Sequence, residues 1–153
     1  AYTDGFHGDA AKTFAVGQIS DEAKALLAVT EESLMLAISM AKPGVRIGDL
    51  SAAIQEYNES RGYGVVREYV GHGVGSELHE DPEVPNFGRA GHGPRLAAGM
   101  VIAIEPMITA GCPAVKVLPA GWTVKTKDGS LAAHFEHTIA ITSDGAQILT
   151  VPE

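Results

Sequence analysis

Hydrophobic and polar positions change rhythm twice along the chain. From Phe6 to Gly17, β-branched and aromatic residues mix with glycine, which predicts a strand-like hairpin arm carrying Asp9. Helical spacing follows. Ser20 is a good N-cap, Asp21 and Glu22 suit the positive end of a helix, and Leu27, Leu34, Ile38 and Ala41 fall along one face until Lys42-Pro43-Gly44 ends it. A second helix is predicted from near Asp49, with Leu50, Ala53, Ile54 and Tyr57 on its buried side, stopping before Gly62. From Val65 onward, short apolar runs separated by Gly, Pro and Asn predict a largely antiparallel sheet. Its strands are placed at Val65 to Val70, Met100 to Ile108, Gly121 to Lys127, Leu131 to Thr142 and Gln147 to Val151. His79 to Gly99, rich in proline and glycine, reads as a loop over or beside a site. No internal repeat or linker divides the chain, so residues 1–153 form one α+β domain portion.

Composition narrows the function classes. With 45% hydrophobic and 20% charged residues the chain has the makeup of a globular domain, and no stretch reaches the roughly 18 apolar residues of a membrane span. A net charge of −8, with 11 Lys and Arg scattered along the chain, disfavours direct nucleic-acid binding. The single cysteine, Cys112, cannot form an internal disulfide, and a cytoplasmic location is expected.

The chemistry sits in a few residues whose surroundings are unusual. His72 lies in Gly71-His72-Gly73-Val74-Gly75, where small neighbours let the backbone turn and leave the imidazole room to approach a ligand. Glu105 ends the apolar run Met100-Val101-Ile102-Ala103-Ile104, and Glu136 leads into Thr138-Ile139-Ala140-Ile141. A carboxylate in such a run is costly to bury without a positive partner, and neither segment contains Lys or Arg. A pair of divalent metals would supply the charge: carboxylate oxygens with one imidazole suit Mn, Fe, Co or Zn, and bridging carboxylates hold such ions about 3.5 Å apart. Water activation is the chemistry this implies.

Spaced blocks carry a resemblance. Asp4-Gly5-Phe6-His7-Gly8-Asp9, Gly71-His72-Gly73-Val74-Gly75, His79-Glu80-Asp81-Pro82, Gly99 to Pro106, Gly121-Trp122-Thr123-Val124 and Phe135-Glu136-His137-Thr138-Ile139 resemble the methionine aminopeptidase family over essentially the whole chain. The short span from His72 to Glu105 leaves no room for the insertion of the type II enzymes, so the resemblance is to type I. It implies a pita-bread fold, in which a curved antiparallel sheet carries two divalent ions (Co, Mn, Fe or Zn) and helices cover its outside. Asp9 and Glu136 would be the bridging ligands, with His72 and Glu105 ligands to one ion. His79 would hydrogen-bond the substrate amide or the tetrahedral oxyanion, and Glu105 would accept the proton of the attacking water. Trp122 and Leu78 would line the pocket for the methionine side chain. The activity implied is release of N-terminal Met from peptides and nascent proteins, with a small second residue preferred.

The family pattern also includes an Asp ligand and a substrate-binding His that would lie before Ala1. The expectation is that the first half of the pita-bread fold is missing from these residues, that the isolated stretch is weakly active or inactive, and that the absent segment or another chain is a partner. Two other readings remain: an X-Pro aminopeptidase or prolidase of the same fold, and a non-catalytic peptide-binding module. His7, His92, His134 and His137 are expected to be structural or surface groups, the methionines core filler, and Cys112 a turn residue.

Overall fold

The structure is a computed structural model and describes residues 1–151. Its two helices are α1 (Asp21–Met40) and α2 (Ile47–Glu59). Ser20 caps α1 as expected, its Oγ accepting from the Ala23 N–H at 3.1 Å. The buried stripe of α1 is Leu26, Val29, Thr30, Ser33, Leu34, Ala37 and Ile38, a repeat of three and four that leaves Leu27 at its margin. Thr30 and Ser33 are tolerated there because their hydroxyls donate to carbonyls of their own helix, those of Leu26 and Thr30. Helix α2 begins two residues before Asp49. The Asp49 carboxylate accepts from the backbone N–H of Gly91 at 2.7 Å and of Arg46 at 2.8 Å, which ties the helix start to the loop at Gly91 and holds this carboxyl below the usual range. Its buried residues include Leu50 and Ile54, whereas Tyr57 is half-buried and donates its hydroxyl to Glu32 of α1 at 2.6 Å.

The main sheet is antiparallel and six-stranded. Its path runs β13 (Ala146–Ile148), β12 (Glu136–Ile141), β7 (Val101–Ile104), β5 (Gly71–Gly73) and β6 (Glu80–Val84), with β3 (Ala10–Ala11) sharing one edge of β12. Register places His72 opposite Ala103 and Ala103 opposite Thr138. Because paired residues face the same side and side chains alternate along a strand, His72, Ala103 and Thr138 form one row. Ile102, Ile104, Ile139 and Ile141 point to the other face, where they join Leu26, Leu34, Leu50 and Ile54 in the core. Fully burying such a side chain contributes roughly 1.5–3 kcal/mol. One sheet face thus packs on the helices and the other is left for polar residues.

Several predicted strands are shorter or divided. Met100 to Ile108 is two strands, β7 and β8 (Met107–Thr109), and Leu131 to Thr142 is also two, β11 (Ala132–His134) and β12. Pro106 has no N–H to continue a ladder, and Phe135 opposite it bends in step, donating to the Pro106 carbonyl at 3.4 Å. Beyond this bend β8 joins β11 and β4 (Gly64–Val65) in a second sheet of three strands. The predicted strand from Val65 to Val70 is thereby reduced to β4. The stretch from His79 to Gly99 is not all loop, since it contains β6 paired with β5. Gly121 and Trp122 lie in a turn before β10 (Val124–Thr126), which pairs with β9 (Val115–Val117). The N-terminal arm is a hairpin of β1 (Tyr2–Thr3) and β2 (Phe6–His7), followed by β3. Asp4 and Gly5 both have positive φ, the conformation that an Asp-Gly hairpin turn requires. Among the described residues no helix is long and apolar enough to cross a membrane.

Candidate metal centre

The bend between the two sheets is where the chemistry-bearing side chains meet. Glu105 lies two residues beyond Ala103, and Glu136 two residues before Thr138, so strand alternation carries both carboxylates onto the face of His72. Asp9 reaches the same place from the gap between β2 and β3. Its backbone N–H donates to Thr138 Oγ1 at 2.9 Å, and the Thr138 hydroxyl donates back to the Asp9 carbonyl at 2.7 Å. That exchange clamps the arm to β12. Small residues make room for His72: a Cβ on Gly71 would strike the Ala103 carbonyl, and one on Gly73 the carbonyl of Asp81.

His72 is buried, with Nδ1 2.9 Å from the Gly73 carbonyl. This contact places the ring proton on Nδ1 and leaves the lone pair of Nε2 pointing at carboxylates, 3.5 Å from Glu105 Oε1 and 3.8 Å from Asp9 Oδ2. Glu136 is only 5% exposed, and its Oε1 is buried with no hydrogen-bond partner. Burial, followed by repulsion from Glu105 and Asp9, pushes its carboxyl up to about 8. Three carboxylates that converge with imidazoles as their ion-pair neighbours lack a compensating charge, which is the situation a divalent cation relieves. The ligand atoms fall into two groups of three, each within 4.8 Å: Asp9, His72 and Glu136 in one, Glu105, His134 and Glu136 in the other.

The other residues singled out in the sequence are placed unevenly. The exposed His79 stacks at a tilt on His72, ring centroids 4.2 Å apart, so it borders the carboxylate cluster. Leu78 is 36% exposed and Trp122 is 81% exposed. The groove beside Glu105 is walled by Tyr69, Met107, Thr126, Ala133 and His134. The sequence reading puts His134 among structural or surface groups, yet its Nε2 lies 3.3 Å from Glu105 Oε2. The available signal is its spacing: two residues before Glu136, it shares that residue's side of an extended chain. His137 faces away and meets Thr150 Oγ1 at 2.7 Å, burial holding its imidazole below the usual value. His92 is exposed.

Residues 1–143 match the sequence profile of metallopeptidase family M24. The chain belongs to that family. Among its M24 relatives is a methionine aminopeptidase of Clostridium acetobutylicum, 58% identical over 153 residues, a match covering 100% of this chain and 61% of the relative. The crystal structure of a methionine aminopeptidase from Thermotoga maritima superposes with a TM-score of 0.96 at 55% identity, covering 97% of this chain and 60% of that one. A prolidase from Pyrococcus horikoshii has the same fold more distantly, with a TM-score of 0.73 at 29% identity over 97% of this chain and 37% of its own. This M24 chain therefore has the pita-bread architecture, and it spans about three-fifths of the length of the methionine aminopeptidases it matches.

Proposed function

We propose that this chain carries the metal centre of a type I methionine aminopeptidase, which releases N-terminal Met from peptides and nascent proteins and favours a small second residue. The observation that carries the reading is the convergence of Asp9, His72, Glu105 and Glu136 around the unpartnered Glu136 Oε1. The 58% identity to a methionine aminopeptidase supports methionine over proline specificity.

Asp9, His72, Glu105 and Glu136 would hold two divalent ions, with Asp9 and Glu136 in the bridging role and His72 and Glu105 on one ion. Carboxylate oxygens with an imidazole accept Mn, Fe, Co or Zn. Ions held there would lower the pKa of water toward neutrality and polarise the scissile carbonyl. Glu105 takes the proton released as water attacks and passes it to the departing amine, so the C–N bond breaks to give a carboxylate and a free amino group. His79, exposed beside His72, donates a hydrogen bond to the substrate amide or to the oxygen of the tetrahedral intermediate. Leu78 and Trp122 are assigned to the methionine pocket, and a bound thioether would cover their exposed surfaces. The lone free cysteine, Cys112, fits a cytoplasmic enzyme.

The test is a cleavage assay on the natural polypeptide that contains this stretch, with Mn or Co added, comparing Met-Ala-Ser and Ala-Pro-Ala peptides. Release of Met, lost in Glu136→Ala, is expected. Cleavage before proline would move the protein to the prolidase branch. Cleavage of neither peptide, with no metal retained, would leave a peptide-binding module.

A further inference from the structure

The bend that brings Glu105 to the cluster lacks the usual means of holding a strand in place. Glu105 precedes Pro106, so the peptide between them has no N–H, and its one hydrogen-bonding group is the Glu105 carbonyl. The ladder sets the direction of that carbonyl. On the β5 side of β7 the Val101 carbonyl accepts from the Val74 N–H at 3.0 Å, and Ala103 lies opposite His72. Every second residue of a strand bonds to the same side, so the Glu105 carbonyl also faces β5. The register would put Val70 there, but β5 begins at Gly71.

Asn86 fills the gap. It follows the end of β6 by two residues, and its Nδ2 donates to the Glu105 carbonyl at 3.0 Å, across the place where β5 has left the sheet. The side chain is fully buried, and its Oδ1 has no hydrogen-bond partner. An apolar residue could fill the same space without an unpaired oxygen, so the N–H donor is the reason for an amide there. The Glu105 carboxylate itself has imidazole nitrogens at 3.5 Å (His72) and 3.3 Å (His134), and its place depends on the backbone that carries it.

We propose that Asn86 is a positioning residue for Glu105: by holding the carbonyl of the Glu105-Pro106 peptide it fixes the bend and aims the carboxylate at the ion that Glu105 shares with His72. This rests on the reading of the cluster as a dimetal centre. The hydrogen bond itself is made by the protein alone and can be observed without metal.

Glu105-Pro106 is the one Glu-Pro pair in the sequence. Carbon-detected spectra of the full chain, labelled with 13C-carbonyl Glu and 15N Pro, therefore contain a single Glu-Pro cross-peak that reports this carbonyl. Asn86→Leu keeps the branched shape and Asn86→Ala leaves a void, while both remove the donor, so effects common to the two belong to the hydrogen bond. In both metal-free variants the carbonyl carbon should move upfield, as it does when a hydrogen bond is lost. Calorimetry should show cobalt affinity about tenfold weaker in both. At saturating cobalt the visible absorption bands of the bound ion should also shift, which loss of a residue that only packs would not cause. An unmoved carbonyl overturns the proposal. So does a moved carbonyl with the parent's cobalt affinity and bands, which would make Asn86 a structural residue and leave the metal centre standing. If Glu136→Ala binds cobalt as tightly as the parent, the dimetal reading falls and the proposal with it.

Discussion

Replacing Glu136 by Gln in the metal-free chain should remove a pH dependence of stability. In the folded state the carboxyl is raised from 4.5 to about 8, first by burial and then by Glu105 and Asp9. Below about pH 4.5 both folded and unfolded chains hold the proton, and the group has no effect on the balance. Between 4.5 and 8 the unfolded chain releases the proton while the folded chain keeps it, so stability falls as pH rises, and it levels off above about 8. At about 1.4 kcal/mol per pH unit the ceiling is about 5 kcal/mol. Because the chain can relax around a charged Glu136, roughly 2–3 kcal/mol is the expected share that the substitution removes. Urea unfolding followed by far-UV circular dichroism from about pH 5 to 8.5, with a chelator present, gives the curve for each protein. Subtracting the curve of the Glu136→Gln variant removes every contribution common to the two proteins. Glu136→Gln should therefore be the more stable protein at about pH 8 and nearly equal at about pH 5. Added Co should reverse the order at the higher pH, since only the carboxylate binds the ion. Parallel curves across the whole range would refute the claim that this carboxyl is buried against like charge.

Three further outcomes follow from particular contacts. Gly73→Ala places a methyl against the Asp81 carbonyl and should cost about 2–3 kcal/mol in urea unfolding, with weakened zinc binding because His72 is adjacent. Thr138→Val removes both hydrogen bonds that hold the Asp9 backbone, and Co affinity measured by calorimetry should fall about tenfold. Ser20→Ala takes the cap from α1 and should cost about 1 kcal/mol without changing metal affinity, while Ser20→Asp should be nearly neutral.

The helices and much of the candidate site were legible in the chain because they depend on near neighbours. A cap at Ser20, a stripe at helical spacing, and carboxylates set in apolar runs at Glu105 and Glu136 are all patterns within a few residues. The alternation that sends Ile102 and Ile104 to the core also sends Ala103 and Glu105 to the opposite face, so one rule sorts core from site. Boundaries were less legible. The division of Met100 to Ile108 turns on Pro106 meeting Phe135 across the sheet, a contact that no local pattern contains.

Residue types in their local rhythm thus determined most of the buried helix stripe, the cap of α1 and which carboxylates sit in apolar runs. Only the tertiary structure decided which of them meet. Asp9 is clamped by Thr138, 129 positions away, and His134 is turned onto Glu105 because the strand pairs β7–β12 and β8–β11 separate at one bend. It also left Trp122 exposed in a turn. The physical reason is range: propensity and periodicity act between residues about one to four apart, whereas a metal-binding cluster is made by strand register and by hydrogen bonds that close long loops.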